Sequence, residues 1–140
     1  MRLMGLDVGT KTIGVAVSDE SCLIAQPLCV IRRSSFSKDL EEISRLVREH
    51  SVETIVVGMP INMNGTPGPR YEQTQRFIDR IKDKIPARIE TWDERLSTKA
   101  GTRVLIEGNE SRARRKEVVD KLAASYILQG YLDSLRPGGV

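Results

Sequence analysis

The amino-acid sequence predicts an α/β fold, a mixed five-stranded sheet with helices on both faces, and three observations carry that expectation. Near the N-terminus, two segments of alternating apolar residues stand only four residues apart. A hairpin bridges such a gap and a parallel return cannot. Further along, short continuous apolar runs alternate with stripes of helical period. Hairpins first and helix-linked strands afterwards give a sheet with antiparallel and parallel pairs.

The elements read in the order βββαβαβαα. Leu3 to Asp7 is a strand and Thr12 to Ser18 (TIGVAVS) a second, with Val8-Gly9-Thr10-Lys11 between them. Leu23 to Ile31 is a third, edge or broken strand, because Pro27 cannot donate to a ladder. The period then changes. Leu40, Ile43, Leu46 and Val47 form a helical stripe, with acids early and Arg45, Arg48 and His50 late, as the helix dipole favours. Thr54 to Gly58 is a continuous apolar run, the mark of a strand buried on both faces. After a loop rich in Pro, Gly and Asn from Met59 to Pro69, a second helix carries Tyr71, Thr74, Phe77, Ile78 and Ile81 and stops before Pro86. Ala87 to Trp92 is the fifth strand. A third helix is expected from Ser97 or Thr98 to Gly108, where glycine suits the left-handed cap. Ser111 to Lys116 reads as a basic loop, and a last helix as Glu117 to Leu135.

Composition narrows the chemistry. The chain has 140 residues, 39% hydrophobic and 29% charged, which suits one domain over 1–140 with a real core. No apolar run approaches the ~20 residues of a bilayer span, so no membrane partner is expected. Met1 to Gly5 runs straight into a strand pattern with no cleavable signal in view, and a cytoplasmic location is expected. The single histidine, His50, excludes paired-histidine zinc sites, while Cys22 and Cys29, seven apart, read as buried thiols rather than ligands. Any metal would therefore be held by carboxylates, which points to magnesium or manganese. A net charge of +3 permits a nucleic-acid partner without requiring one.

The candidate acids stand at element ends. Asp7 closes the first strand just before Gly9, where an aspartate either satisfies a turn or faces the crevice in which open α/β sheets bind ligands. Asp93 and Glu94 follow the fifth strand, and alternation lets only one of them reach the same site as Asp7. Asp120 lies early in the last helix, where an acid compensates the dipole or, with the small Ala123 and Ala124 beside it, sits at the rim of a closely packed face. Asp19, at the far end of the second strand, reads as a turn or cap.

Four segments, GLDVGTKTIGVAVSD (5–19), GMPINMNGTPGPR (58–70), WDERLST (92–98) and VDKLAASYILQGYL (119–132), resemble the YqgF (RuvX) family. Its members are bacterial RNase H-like proteins described as Holliday junction resolvases or pre-16S ribosomal RNA nucleases. The resemblance spans nearly the whole chain, with no departure at the acidic positions. It implies an RNase H-like sheet and three converging acids, which map onto Asp7, Glu94 and Asp120.

Such a set suits phosphodiester hydrolysis without a histidine base. Two magnesium or manganese ions can activate water, align the attack and relieve charge on the leaving oxygen. Lys11, Arg70 and Arg95 beside the motifs, and Arg112, Arg114 and Arg115 before Asp120, are candidate phosphate contacts, although a charge run is often only a solvated loop. Asn62 and Asn64 either order their loop or touch substrate. Aromatics are 4% of residues, too few for a stacking platform, so structured RNA or branched DNA would be read by shape and charge. Two other classes remain open: a non-catalytic nucleic-acid or ribosome-associated module, and a nucleotide-binding domain related to the actin and Hsp70 ATPases. The oligomeric state is left open too.

Overall fold

The computed structural model describes residues 1–96 and 112–136, with the backbone alone over 112–118. Its strands are β1 (Arg2–Val8), β2 (Thr12–Ser18), β3 (Ala25–Arg32), β4 (Val52–Met59) and β5 (Arg88–Asp93). The helices are α1 (Phe36–Glu49), α2 (Tyr71–Ile81) and α3 (Arg112–Ser134), and a short 3₁₀ turn covers Glu94–Leu96. The strands form one sheet in the order β3-β2-β1-β4-β5, with β1 at its centre.

Local chemistry explains the order. The β1–β2 turn closes with the Gly9 N–H donating to the Thr12 carbonyl at 2.8 Å, and the two strands pair antiparallel. β3 continues the meander as an edge strand, and its ladder with β2 shifts register near Pro27. From there the chain must cross over, because β4 lies parallel to β1 and β5 parallel to β4. α1 makes the first crossing, its N-terminus capped by the Ser35 hydroxyl accepting from the Lys38 N–H. α2 makes the second. Two right-handed crossovers running the same way along a sheet put both helices on one face.

That face packs Ile43, Leu46, Val47, Phe77, Ile78 and Ile81 against Met4, Leu6, Ile13, Val15, Ile55 and Val57. The opposite face belongs to α3. Ala124, Ile127, Leu128 and Leu132 cover Leu3, Ala16 and Val56. The expectation of helices on both faces holds, with Ile55, Val56 and Val57 all fully buried as the continuous apolar run of β4 required.

Two expectations near the C-terminus differ. The segment read as a basic loop is helical from Arg112 onward, so Arg112, Arg114 and Arg115 lie on α3. Arg, Ala, Lys and Glu are good helix formers, and their propensity outweighs the unfavourable placing of cations at the positive end of a helix. Asp120 therefore stands eight residues past the start of α3, ~12 Å along its axis, beyond the reach of dipole compensation. The helix expected between Ser97 and Gly108 lies outside the described residues.

Candidate active site

The side chains of β1 alternate between the two faces. Met4, Leu6 and Val8 join the α1–α2 core, which leaves Leu3, Gly5 and Asp7 on the α3 side. Asp7 thus emerges at the C-terminal end of the central strand, on the face that α3 covers. Thr12, Gly14 and Ala16 of β2 share that face, and so do Val56 and Gly58 of β4.

α3 comes unusually close here. A Cβ on Gly14 would stand 2.1 Å from the Asp120 carbonyl oxygen, and one on Gly5 would stand 2.7 Å from the Ala124 carbonyl oxygen. Only glycine leaves room for that backbone. The approach brings the Asp120 carboxylate to Thr12, whose hydroxyl donates to Oδ2 at 2.7 Å. Asp7, Thr12 and Asp120, with Gly9, Thr10, Lys11 and Arg70, line one cleft of about 260 Å³.

Glu94 reaches the same face from the other side. It is only 8% exposed, and its Cγ lies 3.1 Å from where a Cβ of Gly58 would be. Gly58 follows Val57, the register partner of Leu6, so Glu94 covers β4 beside the strand that bears Asp7. Across the sheet the acids thus follow the order Asp120 over β2, Asp7 on β1 and Glu94 over β4. They do not close into a ligand cluster. Among the described residues, no three His, Cys, Asp or Glu side chains stand close enough to hold an ion. Asp120 is held by Thr12, and Glu94 packs on Gly58 and is not among the residues that line the cleft.

Asp93 points elsewhere, as strand alternation required. Arg95 clamps its carboxylate through Nε and Nη2, the latter at 2.6 Å, and this hydrogen bonding holds the Asp93 carboxyl below the usual range. Arg95, expected at the substrate, is thereby tied to Asp93 and donates to the Met63 carbonyl at 3.5 Å. It fastens the 60–70 loop to the end of β5. Asn62 and Asn64 order that loop from within. The Asn62 amide donates to the Thr66 hydroxyl, and Asn64 Oδ1 accepts from the Thr66 N–H and hydroxyl.

Lys11 and Arg70 do border the cleft, and Arg70 also donates to the Val8 carbonyl at 3.0 Å. A second arginine, Arg33, donates to the Gly9 carbonyl at 2.8 Å and reaches the buried Asp39. Two guanidiniums thus pin the backbone just after Asp7. Asp19 makes the turn expected of it, with Oδ1 accepting from the Leu23 and Ile24 N–H groups. A larger cleft, of about 560 Å³, runs between β3 and α1, but Arg45 ties up its Glu42 and Glu49. Sequence reasoning missed Thr12, Gly14 and Gly58. The small residues Thr12, Gly14 and Ala16 at period two were the available sign of a face packed close.

Comparison with known proteins identifies the family and the fold. Residues 1–134 match the model of the RuvX family, described as Holliday junction resolvase. A Desulforamulus reducens protein named "Putative pre-16S rRNA nuclease" is 56% identical over 96% of this chain and 98% of its own length. A Myxococcus xanthus protein of the same name is 52% identical over 98% of this chain and 91% of its own. Among solved structures, Thermus thermophilus RuvC superposes with a TM-score of 0.58 at 12% identity, covering 94% of this chain and 95% of that one. The Fowlpox virus resolvase bound to Holliday junction DNA gives 0.56 at 12% identity, over 98% and 100% of the two chains. Likeness at that identity speaks for the fold, an RNase H-like mixed sheet. With a family match over nearly its full length and relatives above half identity, the chain belongs to the RuvX family, nucleases that hydrolyse phosphodiester bonds.

Proposed function

We propose that this chain is a single-domain, divalent-metal-dependent nuclease acting in ribosome biogenesis on the 5′ end of pre-16S ribosomal RNA. The observation that carries the reading is that Asp7 and Asp120 face one cleft with Lys11 and Arg70 on its border. The substrate follows the name given to the relatives above half identity. Resolution of Holliday junctions is the second reading, favoured by the family description.

The cleft suits a hard cation. Its lining offers carboxylate and hydroxyl oxygens, with neither histidine nor cysteine among the lining residues. Magnesium needs only one or two protein carboxylates, completing its shell with waters and substrate phosphate, and manganese takes a similar site. Asp7 and Asp120 would hold it, with Glu94 as the third acid from the β4 side. When bound, the ion lowers the pKa of a water and relieves charge on the leaving oxygen.

The chain's own residues do the rest. Thr12 fixes the Asp120 carboxylate, and Arg33 and Arg70 hold the turn after Asp7 through the Gly9 and Val8 carbonyls. Lys11 and Arg70 offer positive charge to the phosphate entering the cleft, while Arg112, Arg114 and Arg115 offer it to the flanking backbone. Asn62, Asn64 and Arg95 support substrate through the loop they order. The test is a cleavage panel with magnesium or manganese on precursor rRNA and branched DNA, beside Asp7→Asn. Metal-dependent cleavage of the rRNA, lost in Asp7→Asn with binding retained, supports the reading. Binding without cleavage in both proteins would leave a non-catalytic module.

A further inference from the structure

A second cleft, of about 330 Å³, opens on the α1–α2 side at the same end of the sheet, lined by Thr10, Arg33, Phe36, Gln73, Arg76, Phe77 and Arg80. Thr10 lines both this cleft and the acidic one, so the β1–β2 turn is the ridge between them. We propose that this second cleft is a phosphate subsite, which takes the nucleic-acid backbone where the strand leaves the acids. The proposal rests on the nuclease reading for the identity of its ligand.

Charge is the first argument. Three guanidiniums meet here, and two of them have little to neutralise them. Arg33 is spent on the Gly9 carbonyl and Asp39. Among the described residues, Arg76 has only an exposed ion pair with Glu72 at 3.8 Å, of the kind that contributes little. Arg80, among the described residues, has no carboxylate within salt-bridge distance; its guanidinium lies 3.6 Å from the centroid of the Phe36 ring.

Preorganisation is the second. Arg76 and Arg80 lie one helical turn apart on α2, so both project from one face of the helix. Phe36 and Phe77 meet edge to face with centroids 6.1 Å apart, and Arg33 lies over Phe77. A guanidinium stacked on a ring keeps its planar fork of donors free for phosphate oxygens. Gln73, one turn before Phe77 on α2, adds an amide to the same wall. The scarcity of aromatics in the sequence hid this arrangement, because here the rings serve the cations rather than the bases.

The test is fluorescence anisotropy of a labelled single-stranded RNA across a salt series, in an Asp7→Asn background that prevents cleavage. Arg76→Ala with Arg80→Ala should weaken binding at least tenfold and lower the salt slope by ~1.4, two lost single-strand phosphate contacts. Arg76→Lys with Arg80→Lys should keep most of the slope and lose part of the affinity. Arg88→Ala, at the opposite end of β5 and paired with Glu90, is the control for charge alone. An unchanged melting temperature shows that each variant is folded. If the double alanine variant matches Arg88→Ala, the subsite is wrong while the nuclease reading stands on the cleavage panel. If no variant, nor the Asp7→Asn parent, binds RNA, both fall together.

Discussion

The Thr12 hydroxyl donates to the Asp120 carboxylate at 2.7 Å, joining the start of β2 to the middle of α3 across 108 residues of sequence. This bond sets which way Asp120 faces. Its Oδ2 accepts from Thr12, which leaves the carboxylate's remaining lone pairs available to a cation in the cleft. Thr12→Val should therefore lower the cleavage rate about tenfold and stability by about 1 kcal/mol, since Thr12 is only half-buried. Thr12→Ser should restore both. Single-turnover cleavage and urea unfolding would check the pair.

Packing of α3 onto the glycines makes a graded expectation. At Gly14 an added methyl would meet the Asp120 backbone oxygen, which cannot move unless the helix does. At Gly58 it would meet chiefly Ile127 Cδ1, the far end of a flexible side chain. Gly14→Ala should thus cost about 3 kcal/mol and Gly58→Ala about 1 kcal/mol. Cleavage should fall in both, because each displaces an acid. Equal stability losses measured by denaturant unfolding would contradict the close approach of α3.

Asp19 gives a dependence on pH that is independent of catalysis. The Ile24 and Leu23 N–H groups lower its carboxyl below the ordinary value. A carboxyl lowered by folding stabilises the fold above its unfolded pKa and loses that contribution as pH falls through the lowered one. The stability gap between the natural chain and Asp19→Ala should be full at neutral pH and shrink below about pH 4. Asp93, lowered by Arg95, should behave the same way in Asp93→Ala. A gap that widens in acid would contradict both.

Much of this was legible where local rules act alone. The four-residue gap dictated the β1–β2 hairpin, Pro27 dictated an edge strand, and alternation separated Asp93 from Glu94. Legibility failed where two remote segments meet. Nothing local joins Thr12 to Asp120, or Gly58 to Glu94, and both contacts depend on how closely α3 settles. The start of α3 was misjudged because its arginines were weighed as charges rather than as helix formers. Cys22 and Cys29, expected to be buried, are both half-exposed, Cys22 in a turn with φ of 56°. Burial still pushes the Cys29 thiol up, which agrees with an unreactive role.

The most direct measurement is a manganese titration followed by electron paramagnetic resonance, on the natural chain and on Asp7→Asn, Asp120→Asn and Glu94→Gln. The account requires binding that weakens at least tenfold in Asp7→Asn and Asp120→Asn, the two acids that face the cleft, and less in Glu94→Gln. Affinity unchanged in a variant lacking all three carboxylates would place the ion elsewhere and contradict the account.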